Sequence, residues 1–252
     1  MQWVDYLLGF RMATKKYLLV CEGPTDFEIL SAISKNIENK NGHSIEIVPL
    51  SPQIDATSGS YPPHGWTAVR LWCKSNRVKS QGDVASLDDK LREVALRKNW
   101  LALVAVSGAD GLIIQLDTDI AEHIVDLAPP FLGSGVTRRE FCDTAIAKWL
   151  GVKKIHPNMF LVLSSHSTET WLLAMHDPED AVFADLTVPF NYEDIPDPED
   201  RLLVLGYKKK SGRLHKKPSV YEGYAHTLVG RLTQVRQRCV EAEVFCDFIE
   251  SV

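Results

Sequence analysis

Two acidic strings stand where apolar runs end. Tyr17-Leu-Leu-Val-Cys gives way at once to Glu22-Gly-Pro-Thr-Asp26, and Leu112-Ile-Ile-Gln-Leu gives way to Asp117-Thr-Asp119. Each run reads as a buried strand followed directly by acid. If the two strands are neighbours, one carboxylate from each converges on a single sheet edge. Carboxylates gathered there repel unless they are protonated or neutralised by a cation, and an all-oxygen ligand set favours Mg2+ or Mn2+. The pattern points to a divalent-metal site at the carboxyl ends of parallel strands, where open α/β sheets hold their ligands.

Asp117 and Asp119 straddle a strand end, so both reach one cation only if the chain turns directly after Leu116. Asp26 falls in a first helical turn, where an acid also complements the helix dipole. Glu169, in Ser164-Ser-His-Ser-Thr-Glu169-Thr-Trp-Leu-Leu, has the same two readings. His166 and the serines at 164, 165 and 167 suit a helix entry, and a serine and histidine adjacent in sequence point apart, which argues against serine-hydrolase chemistry. Gly133-Ser-Gly135 precedes Arg138 and Arg139 without P-loop lysine spacing, so it reads as a helix-entry loop. The five cysteines are odd in number and dispersed without a C-x-x-C pair, and the eight histidines show no H-x-x-H spacing. A disulfide framework and a structural zinc site are both disfavoured.

The elements that must position these acids follow from the periodicity. Residues 16–21 form a strand, and Thr25-x-x-Glu28 is a capping box that opens a helix through Ile37. Asn39-Lys-Asn-Gly42 stops it, and Ser44–Leu50 reads as a second strand. A Ser-, Pro- and Gly-rich loop fills 51–66, helical pattern covers 67–74 and 86–106, and 112–116 is the third strand. Thr137-x-x-Glu140 caps a helix that Gly151 ends, 159–163 is the fourth strand, and 218–250 reads as two C-terminal helices. This β-α-β-α-β-α-β order predicts an α/β fold with a mostly parallel sheet flanked by helices, a helical insertion and a C-terminal helical extension. The expected organisation is an N-terminal extension over 1–14, with Met12 as an alternative start. An α/β core over 15–176 follows, and then an acidic excursion, basic loop and C-terminal helices over 177–252.

At 252 residues, 45% hydrophobic and 24% charged, the chain has ordinary globular composition. No apolar run approaches the ~20 residues of a membrane span, and the first residues lack a signal-peptide pattern. A cytoplasmic protein without membrane association is expected. The net charge of −5 excludes a simple basic coat for nucleic acid, but the charge is unevenly placed. Residues 177–200 carry nine acids and no Lys or Arg, whereas 207–238 carry nine bases against Glu222 alone. Lys208, Lys209, Lys210 and Arg213 therefore read either as a phosphate-binding surface for DNA or RNA or as a solvated, mobile loop.

Glu22-Gly-x-x-Asp26 after one strand and Asp117-x-Asp119 after a later one resemble the Toprim domain. Ser164-Ser-His-Ser-Thr-Glu169-Thr-Trp-Leu-Leu is similar to the segment after the last core strand in OLD-family and RloB-like proteins, small Toprim nucleases of prokaryotic defence systems. The resemblance covers about residues 15–176, with a gap between Asp26 and Asp117 that is long for a minimal Toprim unit. It implies a Mg2+- or Mn2+-dependent nuclease with a role in phage defence, metal ligands Glu22, Asp26, Asp117, Asp119 and Glu169, and Glu22 either as ligand or as general acid–base. It also implies a lysine beyond the carboxylates that offsets transition-state charge, for which Lys216 or Lys217 is the candidate. A rival reading keeps the fold without catalysis, as a nucleotide-binding protein or an adaptor for a partner ATPase. A homo-oligomer fits either reading. Topoisomerase or primase activity is disfavoured because the residues beyond 176 leave little room for the further domains those reactions need.

Overall fold

A computed structural model describes residues 13–252. Of the expected N-terminal extension, residues 1–12 lie outside the described residues, and Thr14 already belongs to the first strand. The core is a four-stranded sheet built from β1 (Thr14–Val20), β2 (Ser44–Ser51), β3 (Gly111–Asp117) and β4 (Met159–Ser164). Its order is β2-β1-β3-β4, and every pairing is parallel.

The helices α1 (Pro24–Asn36), α2 (Trp66–Ser75), α3 (Asp89–Arg97), α4 (Trp100–Ser107), α5 (Phe131–Ser134), α6 (Arg138–Leu150) and α7 (Glu169–Leu173) occupy the connections and the segment after β4. Beyond them lie α8 (Pro198–Val204), a hairpin of β5 (Lys209–Lys210) and β6 (Arg213–Leu214), and three helices, α9 (Pro218–Gly230), α10 (Leu232–Arg238) and α11 (Val240–Ser251). No described helix is long and apolar enough to cross a membrane.

Strand alternation divides the apolar side chains between two layers. Tyr17, Leu19, Ile113 and Val162 pack with Ile29, Leu30 and Ile33 of α1, Tyr221 and Leu228 of α9, and Phe245 and Ile249 of α11. Leu18, Val20, Leu112, Ile114 and Leu163 pack with Val69 of α2, Trp100 of α4, and Ile146 and Trp149 of α6 on the opposite face. Burying each Leu or Ile side chain contributes about 1.5–3 kcal/mol. Both faces are covered, which is why these strands read as continuous apolar runs rather than alternating ones.

Four local expectations change. The box at Thr25 and Glu28 gives way to an earlier start, with Gly23 as N-cap and Pro24 in the first turn, where its missing N–H costs nothing. Asp26, not Glu28, then reaches back to the N-cap N–H. The single helical stretch over 86–106 breaks because Asn99 leaves the helix and its side chain caps α4 by accepting from the Ala102 N–H. The C-terminal stretch forms three helices, with breaks at Arg231 and Cys239. The basic loop is a hairpin. Ser211 and Gly212 both take positive φ (52° and 81°), as the two central residues of a tight hairpin turn of the I′ type require.

Candidate active site

The strand order sets a switch point between β1 and β3. From β1 the chain moves outward to β2, and from β3 it moves outward to β4 on the other side. Connections diverging on either side leave a crevice at the carboxyl ends of the central pair. Glu22 stands two residues beyond β1, and Asp117 is the last residue of β3, so both acids rise from that crevice.

A buried glutamine fixes their relation. Gln115 is fully buried, its Oε1 accepts from the Glu22 N–H at 2.9 Å, and its Nε2 donates to Asp117 Oδ1 at 2.8 Å. The Asp117 N–H returns a bond to Glu22 Oε1 at 2.8 Å. Backbone and side chain of both acids are thereby tied across the switch point. An unpaired amide at this depth costs about 1–3 kcal/mol, so the relay is strongly specified. The chain turns directly after Asp117 into a 3-10 segment, Thr118–His123, which carries Asp119 to the exposed side of the same crevice.

These groups line a cleft of about 510 Å3. Glu22, Asp117 and Asp119 line it together with Arg213 and Lys216 from the C-terminal part of the chain. His166, with positive φ, and the Pro196–Asp200 segment complete the rim. Lys216 Nζ lies 3.1 Å from Glu169 Oε1 and 2.7 Å from Glu199 Oε1. Tyr221 donates its hydroxyl to the same Glu169 oxygen at 2.6 Å.

Electrostatics distinguishes the acids. Burial lifts the Glu22 carboxyl to about 8, with the Asp26 and Asp119 charges adding to it against the Asp117 N–H. Burial, then the charges of Glu22, Asp26 and Glu169, holds Asp117 well above the ordinary carboxylate range. Burial raises Asp119 as well, although His166, Lys216 and Arg138 pull it down. Asp26 is raised to about 6, first by burial and then by Glu169. Glu169 runs the other way: burial would raise it, but Lys216 and the Tyr221 hydroxyl outweigh that and hold it below the usual range.

Of the sequence candidates, Glu22, Asp117, Asp119, Arg213 and Lys216 meet in the cleft. Asp26 and Glu169 lie behind it, 6% and 1% exposed. Both Asp26 oxygens are engaged, Oδ2 by the Gly23 N–H at 2.8 Å and Oδ1 by the Thr168 hydroxyl at 2.6 Å. Lys208, Lys209 and Lys210 are on the outer hairpin, and Lys217 is the exposed N-cap of α9; none of the four lines the cleft. Among the described residues, no three His, Cys, Asp or Glu side chains stand ready-grouped for a metal ion. Glu22 and Asp117 each already engage one oxygen with a protein N–H.

Sequence reasoning missed Gln115, Thr168, Tyr221 and Glu199. Gln115 carried a signal, as the lone polar residue in an otherwise apolar buried run. The other three become neighbours of the site only through chain separations that no local pattern records. Compared with protein-family models, with curated proteins and with solved structures, the chain matches none.

Proposed function

We propose that the chain is a divalent-metal-dependent phosphodiesterase, a nuclease of Toprim type acting in phage defence. One observation carries the reading: acids at the ends of two adjacent parallel strands are tied together at the switch point and line one cleft with two cations, Arg213 and Lys216. What supports Mg2+ or Mn2+ is the chemistry of the acids, which are all-oxygen donors raised toward protonation by burial and mutual repulsion, although among the described residues they are not grouped as a ready-made metal site. Glu22, Asp117 and Asp119 would hold the ion, with Asp26 supporting the Glu22–Gly23 turn from behind. Bound there, the metal supplies polarisation of the scissile phosphate and a more acidic water.

The remaining roles belong to the chain. Lys216, held by Glu169 and Glu199, offsets charge on the phosphoryl oxygens. Arg213 binds a flanking phosphate, and Glu22 serves either as metal ligand or as the general acid–base. Purified protein should cut DNA or RNA with Mg2+ or Mn2+ and lose that activity in EDTA. Asp117→Asn cleaving as well as the parent would sink this assignment.

A second reading, an inert adaptor for a partner ATPase, draws on exposed apolar side chains on the outer helices, with Leu71, Val94 and Val106 at 60%, 63% and 89% exposure. Calorimetry with Mn2+ on the parent and on Glu22→Gln separates the two. No heat of binding at millimolar metal favours the adaptor.

A further inference from the structure

The Glu22–Gly23–Pro24 turn faces two cavities. Glu22 lines the acidic cleft, and Pro24 lines a separate cavity of about 280 Å3 beside it. The second cavity is lined by Pro49 and Pro52, at the carboxyl end of β2, and by Phe27 of α1 and Tyr61. Ser51 accepts a hydrogen bond from the Cys21 N–H at 2.9 Å, so the end of β2 is seated directly against the residue before Glu22. The loop that carries Tyr61 returns to the same turn, where the Gly65 N–H donates to the Glu22 carbonyl at 2.6 Å. The two cavities therefore flank one turn, Glu22–Gly23–Pro24, and neighbouring strand ends are separated by only ~4.8 Å.

We infer that this second cavity is a subsite for one unpaired nucleobase next to the scissile phosphate. The inference rests on the phosphodiesterase reading and adds to it the state of the substrate strand. Four features favour a base over other occupants. The volume falls just below the ~300–1,000 Å3 of pockets for drug-sized ligands, which suits a single ring system. Phe27 and Tyr61 contribute aromatic rings to the lining, and base–aromatic stacking tolerates any base because each has a π face. The prolines add apolar surface without N–H donors that would need partners. At the rim, Gln53 donates its amide N–H to the Pro49 carbonyl at 3.1 Å, leaving its Oε1 as an acceptor for an exocyclic amine. A base stacked inside a duplex does not reach such a cavity without leaving its helix. The substrate strand is thus single-stranded, or unpaired at this nucleotide.

The test uses full-length protein with Mn2+ and single-stranded oligonucleotides in which an abasic site is moved past the cut position. The parent should cleave single strands in preference to duplex, and one abasic position should raise KM by roughly 5- to 100-fold, the loss of one stacked base. Tyr61→Ala should raise KM by a similar factor on intact strands and add nothing on that abasic substrate. Tyr61→Phe should behave as the parent, and calorimetric Mn2+ affinity should be unchanged in both. If Tyr61→Ala does not fold, Tyr61→Leu removes the ring face while keeping apolar volume, and Ile54→Ser alters an exposed wall residue (55% exposed) with the same expected direction. A parent that cleaves no substrate defeats the phosphodiesterase reading itself. A parent that cleaves, but whose abasic profile is flat or unaltered by these variants, overturns the subsite alone.

Discussion

In metal-free protein, Glu22→Gln should stabilise the fold at alkaline pH and do little at acid pH. The Glu22 carboxyl rises from its ordinary 4.5 to about 8 on folding, chiefly through burial. A carboxyl raised in the folded state stabilises that state only while protonated. Its contribution is complete below the unfolded value and is lost as pH rises through the folded one. Linkage over the interval between 4.5 and about 8 gives a loss of about 3.5 kcal/mol between pH 5 and pH 8. Water reaching the partly buried carboxylate screens some of this, so about 2 kcal/mol is the expected difference between parent and variant. Gln keeps the acceptor for the Asp117 N–H, which isolates charge from hydrogen bonding. The assay is urea denaturation in EDTA at several pH values, repeated with millimolar Mg2+. The parent should weaken from pH 5 to pH 8 and recover with Mg2+, while the variant should show a flatter profile and little recovery. A parent profile as flat as the variant's would refute the claim that burial, with the neighbouring acids, raises the Glu22 carboxyl in the folded state.

Three further outcomes follow from particular contacts. Asp126 accepts from Arg70 Nε at 2.5 Å, Lys74 at 3.1 Å and the Trp149 indole at 2.8 Å, and the Arg70 bond leads in holding its carboxyl far below the usual range. Asp126→Asn should cost about 2 kcal/mol at neutral pH, and the gap to the parent should close as pH falls below about 4, since a depressed carboxyl stabilises only while ionised; a gap independent of pH would refute this. Gly111→Ala places a Cβ 2.6 Å from the Asn158 carbonyl oxygen and 2.8 Å from the Tyr17 ring, so denaturation should show a loss of about 1–3 kcal/mol, and an unchanged midpoint would contradict that packing. Replacing Lys208, Lys209 and Lys210 together by Ala should leave Tm nearly unchanged but make the salt dependence of nucleic-acid affinity shallower, by up to about one unit of slope per lost phosphate contact; an unchanged slope would show that they do not touch the backbone.

The acids were legible because strands covered on both faces are continuous apolar runs, and the first charge after such a run marks its exit from the core. The parallel sheet followed from helices alternating with those runs. Pairing was another matter: the sequence carries no sign that Glu22 and Asp117 share a glutamine, because their bonds span about ninety residues. Lys216 and Lys217 are adjacent and alike in type, and only the fold shows that the first reaches Glu169 and Glu199 while the second is the N-cap of α9. The breaks at Asn99 and at Ser211-Gly212 did have local causes. A capping asparagine and a tight-turn pair were outweighed in the reading by helical periodicity and by a run of charge.

The candidate site is assembled from parts of different mechanical character. Its acids are set on the central strand pair, whereas Lys216 arrives on the segment between β6 and α9, in the helical layer of one face only. That layer is joined to α1 largely by the side chains around Tyr221, Ala225 and Leu228. Proteins open in cooperative units below the global unfolding limit, and a unit peeling along this seam would take the lysine away while the acids stayed in register. Amide exchange should therefore be slower in β1 and β3 than in α9, and the difference should narrow when a substrate phosphate bridges Lys216 to the sheet edge. If the proposed phosphate site is real, holding its ligand and ordering the helical layer would be one event.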